Sequence, residues 1–152
     1  MYKRRVEINP ATCELICDNA ELNGMEDRIT VIAAEVRAWL QSAPSRAERY
    51  DAVFLDPPAF AKNRKSAGAA LKGYRDINRL ALEVLVPGGL LFTSSCSFHV
   101  QEDRFIDEVL RGAAAAGRTL KQVRRGEQGP DHPVIPAIPE TRYLKHLVFQ
   151  AN

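Results

Sequence analysis

The chain of 152 residues contains no run of 18 or more apolar residues, which is about the length that a membrane-spanning helix needs. Its N-terminal segment has basic residues but no apolar stretch behind them, so a secretory signal is not predicted either. Both absences favour a cytoplasmic protein without a membrane partner.

Cysteine is scarce, with only Cys13, Cys17 and Cys96. An odd number cannot form a fully paired set of disulfides, and the spacing of four between Cys13 and Cys17 matches no usual zinc motif. We therefore predict free thiols and no metal site. Because a free cysteine is most often a buried packing residue, we interpret Cys13 and Cys17, on a predicted helix, in that way.

An excess of charge of one sign is also lacking, since the formal net charge is only +2. This charge is too small to indicate nucleic-acid binding by itself. Basic residues do cluster locally, at 62–65, 72–79 and 118–125. Taken alone, each cluster is more often a solvated face than a binding surface.

Strand and helix patterns alternate along most of the chain. A first helix is predicted to open at Asn9-Pro10 and stop at Gly24, and a long loop at 57–70 is predicted to precede a helix closed by Pro87-Gly88-Gly89. The alternation predicts an α/β fold in one domain, with an open, mostly parallel sheet and an antiparallel last strand. The predicted strands are 5–8, 28–33, 50–56, 90–94, 119–123 and 143–149, and the later helices are 36–40, 71–86 and 102–116.

Two strand ends carry side chains that indicate one active site. The apolar run 52–55 leads into Asp56-Pro57-Pro58, and the apolar run 90–92 leads through Thr93 and Ser94 into Ser95-Cys96-Ser97. Ligands bind at the carboxyl ends of the strands of an open α/β sheet. We therefore expect the Asp56 carboxylate and the Cys96 thiol to open at the same edge.

These motifs occur together with further matching stretches at 19–24, 73–74, 78–81, 87–91, 131–133 and 139–145. With them the chain resembles the class I S-adenosylmethionine-dependent methyltransferases, and among these the bacterial 23S rRNA cytosine-C5 methyltransferases whose fuller members carry an N-terminal PUA domain. The resemblance implies a Rossmann-like sheet, S-adenosyl-L-methionine as the cofactor and 23S-type ribosomal RNA as the partner.

The resemblance also implies roles for individual residues. Cys96 would be the nucleophile that adds to carbon 6 of the cytosine, and Asp56 would lie beside the methyl donor and hydrogen-bond the ring at N3. Glu7 would accept hydrogen bonds from the ribose hydroxyls and Glu35 from the adenine amino group. Their neighbours Ile8, Val36 and Pro57 would complete the cofactor site.

The expected RNA-binding residues are Pro58, Phe60, Lys62, Arg64 and Lys65. Phe60 would either stack on the flipped-out base or anchor its loop, and both alternatives stay open. The three cations would either contact phosphates or lie in a solvated loop. His99 and His132 are expected to form local hydrogen bonds rather than to act in catalysis.

Compared with that family, the chain has no glycine-rich turn before Glu7, and its first strand corresponds to the family's second. We therefore expect residues 1–152 to form a partial methyltransferase domain with two unpaired strand edges. Direct pairing of those strands, or a second copy in a homodimer, would close the gap.

Two alternatives remain at this point. One is an amino-directed N-methyltransferase, whose Pro-Pro motif is followed directly by an aromatic residue; here Ala59 intervenes. The other is a non-catalytic RNA-binding or self-assembly module that has lost the cofactor loop.

Overall fold

The computed structural model describes residues 2–43, 47–61 and 63–152, except for the side chain of Arg64. The chain divides into two compact units, Met1–Ala47 and Glu48–Asn152. Within the described ranges no helix is both long enough and apolar enough to cross a membrane.

The first unit contains two parallel strands, β1 (Lys3–Glu7) and β2 (Ile29–Ala33), and two helices, α1 (Pro10–Leu22) and α2 (Val36–Gln41). Asn9 caps α1, since its side chain accepts a hydrogen bond from the Ala11 N–H at 3.0 Å. Proline occupies the first turn, where its missing N–H has no consequence. The helix start predicted at Asn9-Pro10 is confirmed.

The second unit forms a four-stranded sheet in the order β3-β4-β6-β5. Strands β3 and β4 are parallel, and β6 pairs antiparallel with both β4 and β5. The predicted α/β class and the antiparallel last strand are therefore confirmed. The elements are β3 (Tyr50–Leu55), α3 (Ala67–Glu83), β4 (Leu85–Ser95), α4 (Glu102–Ala115), β5 (Leu120–Gly126) and β6 (Lys145–Ala151).

The segment around Pro87-Gly88-Gly89 differs from its prediction. Helix α3 begins at Ala67 and ends at Glu83, so the helix predicted over 71–86 is displaced toward the N-terminus. The Pro-Gly-Gly sequence lies inside β4, where the register shifts between the pairs Tyr50↔Leu85 and Ala52↔Leu90. Gly88 has φ +81°, a conformation that glycine adopts without strain. The glycine thus permits an irregular strand rather than ending a helix.

Helices α3 and α4 bury apolar side chains at helical spacing. Ile77 and Ala81 are buried on α3, and Phe105, Val109 and Ala113 are buried on α4. Residues three or four apart share one face of a helix, so the residues named on each helix lie along one buried stripe. Near its end α3 is buried more widely, over Leu80, Ala81 and Leu82. The two stripes supply much of the core of the second unit.

Gly112 of α4 lies against the backbone of α3. A Cβ at this position would lie 2.8 Å from the carbonyl oxygen of Arg75 and 3.2 Å from the amide nitrogen of Arg79. Both atoms belong to the backbone of α3, so they cannot rotate away. Only glycine therefore fits this contact without displacing a helix.

Replacing Gly112 by alanine is expected to lower the free energy of unfolding by about 1–3 kcal/mol, because overpacking would push α3 and α4 apart. Urea denaturation followed by circular dichroism measures this change. Gly68→Ala is the matched control, since a Cβ there meets nothing within 4 Å and alanine favours a helix by up to about 1 kcal/mol over glycine. Equal stability of the two variants would refute the close-contact explanation.

The basic residues of the cluster 118–125 are partly used by the fold. Arg118 donates hydrogen bonds to the carbonyl oxygen of Leu82 at 3.2 Å, in the last turn of α3 where carbonyls lack helical partners, and to that of Leu85 at 2.8 Å, at the start of β4. Arg125 forms an ion pair with Glu102 at 2.8 Å. These two cations therefore stabilise the second unit.

Strand β3 lies at the edge of its sheet, and among the described strands β1 pairs with β2 alone. Each of these strands thus has one side available for another strand. Closure by a second copy of the chain, in a homodimer, stays a prediction that size-exclusion chromatography with light scattering can test.

Candidate active site

A cavity of about 350 Å³ lies at the edge where β3 and β4 end. Asp56, Pro57 and Pro58 line it from the end of β3, and Cys96 lines it from the end of β4. The structure therefore brings the predicted carboxylate and thiol to one site. The other lining residues come from the connection between β5 and β6, and they are Gln128, Gly129, His132, Tyr143 and Leu144.

The two serines that flank Cys96 are buried and hydrogen-bonded. The Ser95 hydroxyl donates to the Tyr74 hydroxyl at 2.9 Å, and the hydroxyls of Tyr74 and Ser97 are 3.0 Å apart. The Ser97 hydroxyl also accepts from the Ala61 N–H at 3.2 Å. Because the backbone is held on both sides, Cys96 is fixed at the cavity while its neighbours point into the protein.

Tyr74 of α3 is the centre of this buried network, and its side chain is 0% exposed. Its ring packs against Phe60 with centroids 4.7 Å apart, and edge-on against Phe105 at 5.1 Å. The Asn78 side chain donates to the Tyr74 carbonyl at 2.8 Å. Tyr74 thus connects α3, α4, the loop after β3 and the end of β4 at one point.

Lys145, the first residue of β6, is only 7% exposed. Its Nζ donates to the carbonyl oxygen of Ser97 at 2.6 Å. Burial lowers the pKa of Lys145 below its ordinary value, and the charges of Cys96 and Glu102 partly oppose this shift. A cation thus lies beneath the loop that carries the thiol.

The connection between β5 and β6 is held in place by Gln128. Its side-chain oxygen accepts from the N–H groups of Tyr143 and Leu144 at 3.1 and 3.3 Å, and its nitrogen donates to the His132 carbonyl at 2.9 Å. The His132 ring is exposed and lies 3.7 Å from a carboxylate oxygen of Asp131. His132 therefore lines the cavity as well as forming local contacts.

The residues predicted to contact RNA differ in their burial and in their distance from the cavity. Pro58 lines the cavity, whereas the ring of Phe60 is half-buried against α3, as expected of a loop anchor. Lys62 lies outside the described residues. The 3₁₀ helix Arg64–Ser66 contains both Arg64, whose side chain lies outside the described part, and the exposed Lys65.

In the first unit, Glu7 ends β1 and Glu35 follows β2, and these strands are adjacent and parallel. The Glu7 carboxylate accepts from the Asn9 N–H at 2.8 Å. The Glu35 carboxylate caps α2, accepting from the N–H groups of Arg37 and Ala38 at 3.1 and 2.8 Å. Both side chains thus have well-defined local partners.

A carboxylate has about four acceptor positions, so both groups retain acceptors for hydroxyl or amino donors. The chemistry of these two residues, with acceptors at one edge of a parallel pair of strands, fits the ribose and adenine of S-adenosylmethionine. Ile8 is exposed beside Glu7, and Val36 is half-buried beside Glu35. These four residues would hold the adenosine end.

Sequence reasoning assigned no role to Lys145, Tyr74 or Gln128. A signal for Lys145 exists in the strand itself, because Lys145, Leu147, Phe149 and Ala151 alternate and therefore share one face. That face is buried, and a lysine on a buried face is rare unless it has a partner. Gln128 and Tyr74 carry no comparable signal.

Comparison with known protein families agrees with this fold, in which a carboxylate and a thiol follow parallel strands. Residues 6–150 match the S-adenosylmethionine-dependent methyltransferase family. The chain therefore belongs to that family.

Among curated relatives, the chain is 37% identical over 144 residues to ribosomal RNA large subunit methyltransferase I of Shewanella denitrificans, covering 94% of this chain and 36% of the relative. It is 42% identical over 130 residues to the protein of the same name from Vibrio cholerae, covering 84% of this chain and 33% of the relative. The chain thus spans about a third of the length of these relatives.

Solved structures support the fold alone. SMU.776, described as a methyltransferase and complexed with SAH, has a TM-score of 0.84 at 21% identity, covering 99% of this chain and 39% of that one. NSun6 from Pyrococcus horikoshii with SFG has a TM-score of 0.70 at 15% identity, covering 98% of this chain and 41% of that one. The Rossmann-like methyltransferase fold is therefore confirmed.

Proposed function

We propose that this chain carries the catalytic centre of an enzyme that methylates carbon 5 of a cytosine in large-subunit ribosomal RNA, with Cys96 as the nucleophile. The observation that carries the proposal is the shared cavity of Cys96 and Asp56. The names of the relatives support ribosomal RNA as the substrate. The thiol in the cavity supports carbon 5 as the target.

The chemistry of cytosine explains why a thiol supports this target. Carbon 5 is a weak nucleophile, so direct methylation is slow. When the Cys96 thiolate bonds to carbon 6, the electron pair of the C5–C6 double bond becomes available at carbon 5. After carbon 5 has gained a methyl group, its proton passes to water and the electron pair of the C5–H bond re-forms the double bond, while the C6–S bond breaks and its electron pair returns to the Cys96 thiolate. A thiol suits both steps because it attacks and leaves readily.

The other cavity residues would hold the base during these steps. Asp56 would hydrogen-bond the pyrimidine at N3, and the rings of Pro57 and Pro58 would form a rigid wall for a planar base. S-adenosylmethionine supplies the methyl group as an electrophile when it is bound. Glu7, Ile8, Glu35 and Val36 of the first unit are the residues that would hold its adenosine end. Pro57 of the second unit lines the cavity of Cys96.

The loop after β3 would contact RNA through Lys65, Lys62 and Arg64, whose charges suit phosphate oxygens. Phe60 packs on Tyr74, which favours the anchoring alternative over stacking on the base. We therefore assign the base contact to Pro58 and the phosphate contact to the three cations.

Analysis of the reaction product tests the proposal. Unmodified large-subunit rRNA is incubated with the protein and S-adenosylmethionine, digested to nucleosides and examined by mass spectrometry. We expect 5-methylcytidine to appear in proportion to the protein added. N4-methylcytidine would instead indicate the amino-directed alternative, and no methylated nucleoside would favour the binding module. Either of these results would overturn the assignment to carbon 5.

A further inference from the structure

Lys145 lies where burying its charged side chain is energetically unfavourable. An ammonium group has three N–H donors, and among the described residues its hydrogen bond is the one to the Ser97 carbonyl. The side chain is 7% exposed, so water cannot fully replace the missing acceptors. Burial of an incompletely paired cation is unfavourable, which suggests a role beyond packing.

The acceptor of Lys145 is the carbonyl of the residue directly after Cys96. The ammonium therefore lies under the same short loop as the thiol. Of the two anionic groups that favour the charged form of Lys145, Cys96 has the larger effect and Glu102 the smaller. Coupling between two sites is reciprocal. An ammonium group held at the residue next to Cys96 therefore favours a negative charge on that loop.

The other charged groups near Cys96 differ in sign and exposure. Asp56 lines the same cavity, and its carboxylate would oppose a thiolate. Glu102 faces Lys145 from α4 and also pairs with Arg125. His132 lines the cavity but is exposed, with its side chain 64% accessible to solvent. The buried Lys145 is thus the cation best shielded from water, where a charge acts most strongly.

We propose that Lys145 is the positioning residue that activates Cys96, by holding an ammonium group beneath the loop and stabilising the thiolate there. This inference rests on the proposed function only for its purpose in methyl transfer. The effect on the thiol itself is independent of that function. No proton transfer between the two side chains is required, because the charge acts through space.

Alkylation of Cys96 by iodoacetamide, followed by mass spectrometry from pH 5.5 to 9.5, tests this proposal without cofactor or RNA. Cys13 and Cys17 are first replaced by alanine, so that Cys96 is the single thiol. Lys145→Gln keeps an N–H donor for the Ser97 carbonyl but removes the charge. We expect its alkylation rate at pH 7 to fall about tenfold, corresponding to a rate profile displaced upward by one pH unit. The plateau at high pH is expected to be unchanged.

Lys145→Arg is the matched control, because it retains the charge and is expected to keep the profile within about 0.3 pH unit of the parent. A purely structural Lys145 would change the plateau or the thermal stability of both variants without displacing the profile of Lys145→Gln. That result would overturn the proposal.

If Lys145→Gln does not fold, an NMR titration of the parent protein tests the same proposal. The ¹³Cε signal of Lys145 is expected to show a step at the pH where Cys96 ionises, and this step should vanish in Cys96→Ser. A titration that is identical in both proteins would also overturn the proposal.

These results are separable from the fate of the proposed function. A displaced alkylation profile, together with methyl transfer that survives Cys96→Ala, would leave the activation of the thiol intact and remove only its catalytic purpose. An unchanged profile, together with loss of methyl transfer in Cys96→Ala, would support Cys96 as the nucleophile and overturn its activation by Lys145.

Discussion

Replacing Cys96 by alanine is expected to reduce the rate of methyl transfer to rRNA by roughly 10³-fold or more, the scale seen when an enzyme loses its nucleophile. Without the thiol, carbon 5 of the cytosine gains no added electron density, so the methyl group has no competent acceptor. Cys96 is half-buried at the cavity wall, so the smaller alanine side chain is expected to leave the fold intact. The rate is measured by transfer of tritiated methyl groups to unmodified large-subunit rRNA.

Cys17→Ala is the matched control for this prediction. Cys17 is exposed on α1, in the first unit, so its interpretation as a buried packing residue was wrong. Its replacement is expected to change the rate less than twofold and the stability by less than about 0.5 kcal/mol. Near-parent turnover by Cys96→Ala would show that the thiol is not the nucleophile. The chain would then require a different target atom.

Tyr74 is the second position at which a large effect is expected. Replacing it by alanine should lower the free energy of unfolding of the second unit by about 3–5 kcal/mol, as for other large aromatic side chains removed from a core. Its ring contacts Phe60 and Phe105, and its hydroxyl forms hydrogen bonds with the hydroxyls of Ser95 and Ser97. Urea denaturation followed by circular dichroism measures the change.

Tyr74→Phe separates the ring from the hydroxyl. This variant keeps the aromatic packing but removes the shared partner of the two serines, which is expected to cost about 1–3 kcal/mol. Tyr2→Ala is the control, because Tyr2 is 88% exposed and its loss should cost less than about 0.5 kcal/mol. If Tyr74→Phe is as stable as the parent, the hydroxyl network does not hold the Cys96 loop.

The positions of Asp56 and Cys96 could be predicted from the sequence because they depend on strong local signals. Each follows an apolar strand, and parallel strands present their carboxyl ends at one edge of the sheet. The start of α1 could be predicted equally well, since Asn9 and Pro10 are preferred residues at the start of a helix. In these cases the local sequence and the tertiary structure favour the same arrangement.

The Pro87-Gly88-Gly89 segment shows where local signals fail. Proline and glycine end helices in isolation, and the sequence therefore predicted a helix stop. The helix has already ended at Glu83, and the segment instead forms an irregular part of β4. The flanking residues Leu85 and Leu90 pair with Tyr50 and Ala52 of β3, and such pairing involves residues far apart in the sequence.

The hydrogen bonds of the supporting residues were not predictable for the same reason, although the alternation in β6 places Lys145 on a buried face. Tyr74 reaches Ser95 and Ser97 from a helix more than 20 residues earlier, and Lys145 reaches Ser97 from 48 residues later. No local pattern specifies such hydrogen bonds. Asp56 and Cys96 could therefore be identified from the sequence, whereas the hydrogen bonds that support the Cys96 loop could be identified only from the structure.

The central claim, a covalent bond between Cys96 and the target base, is tested most directly with RNA that carries 5-fluorocytidine at the target. Fluorine cannot leave as the C5 proton does, so the C6–S bond should persist after methyl transfer. We expect a stable protein–RNA complex that requires S-adenosylmethionine, and a digested peptide that bears the nucleotide on Cys96. Attachment at another residue, or methylation of normal RNA with no trapped complex, would contradict the claim.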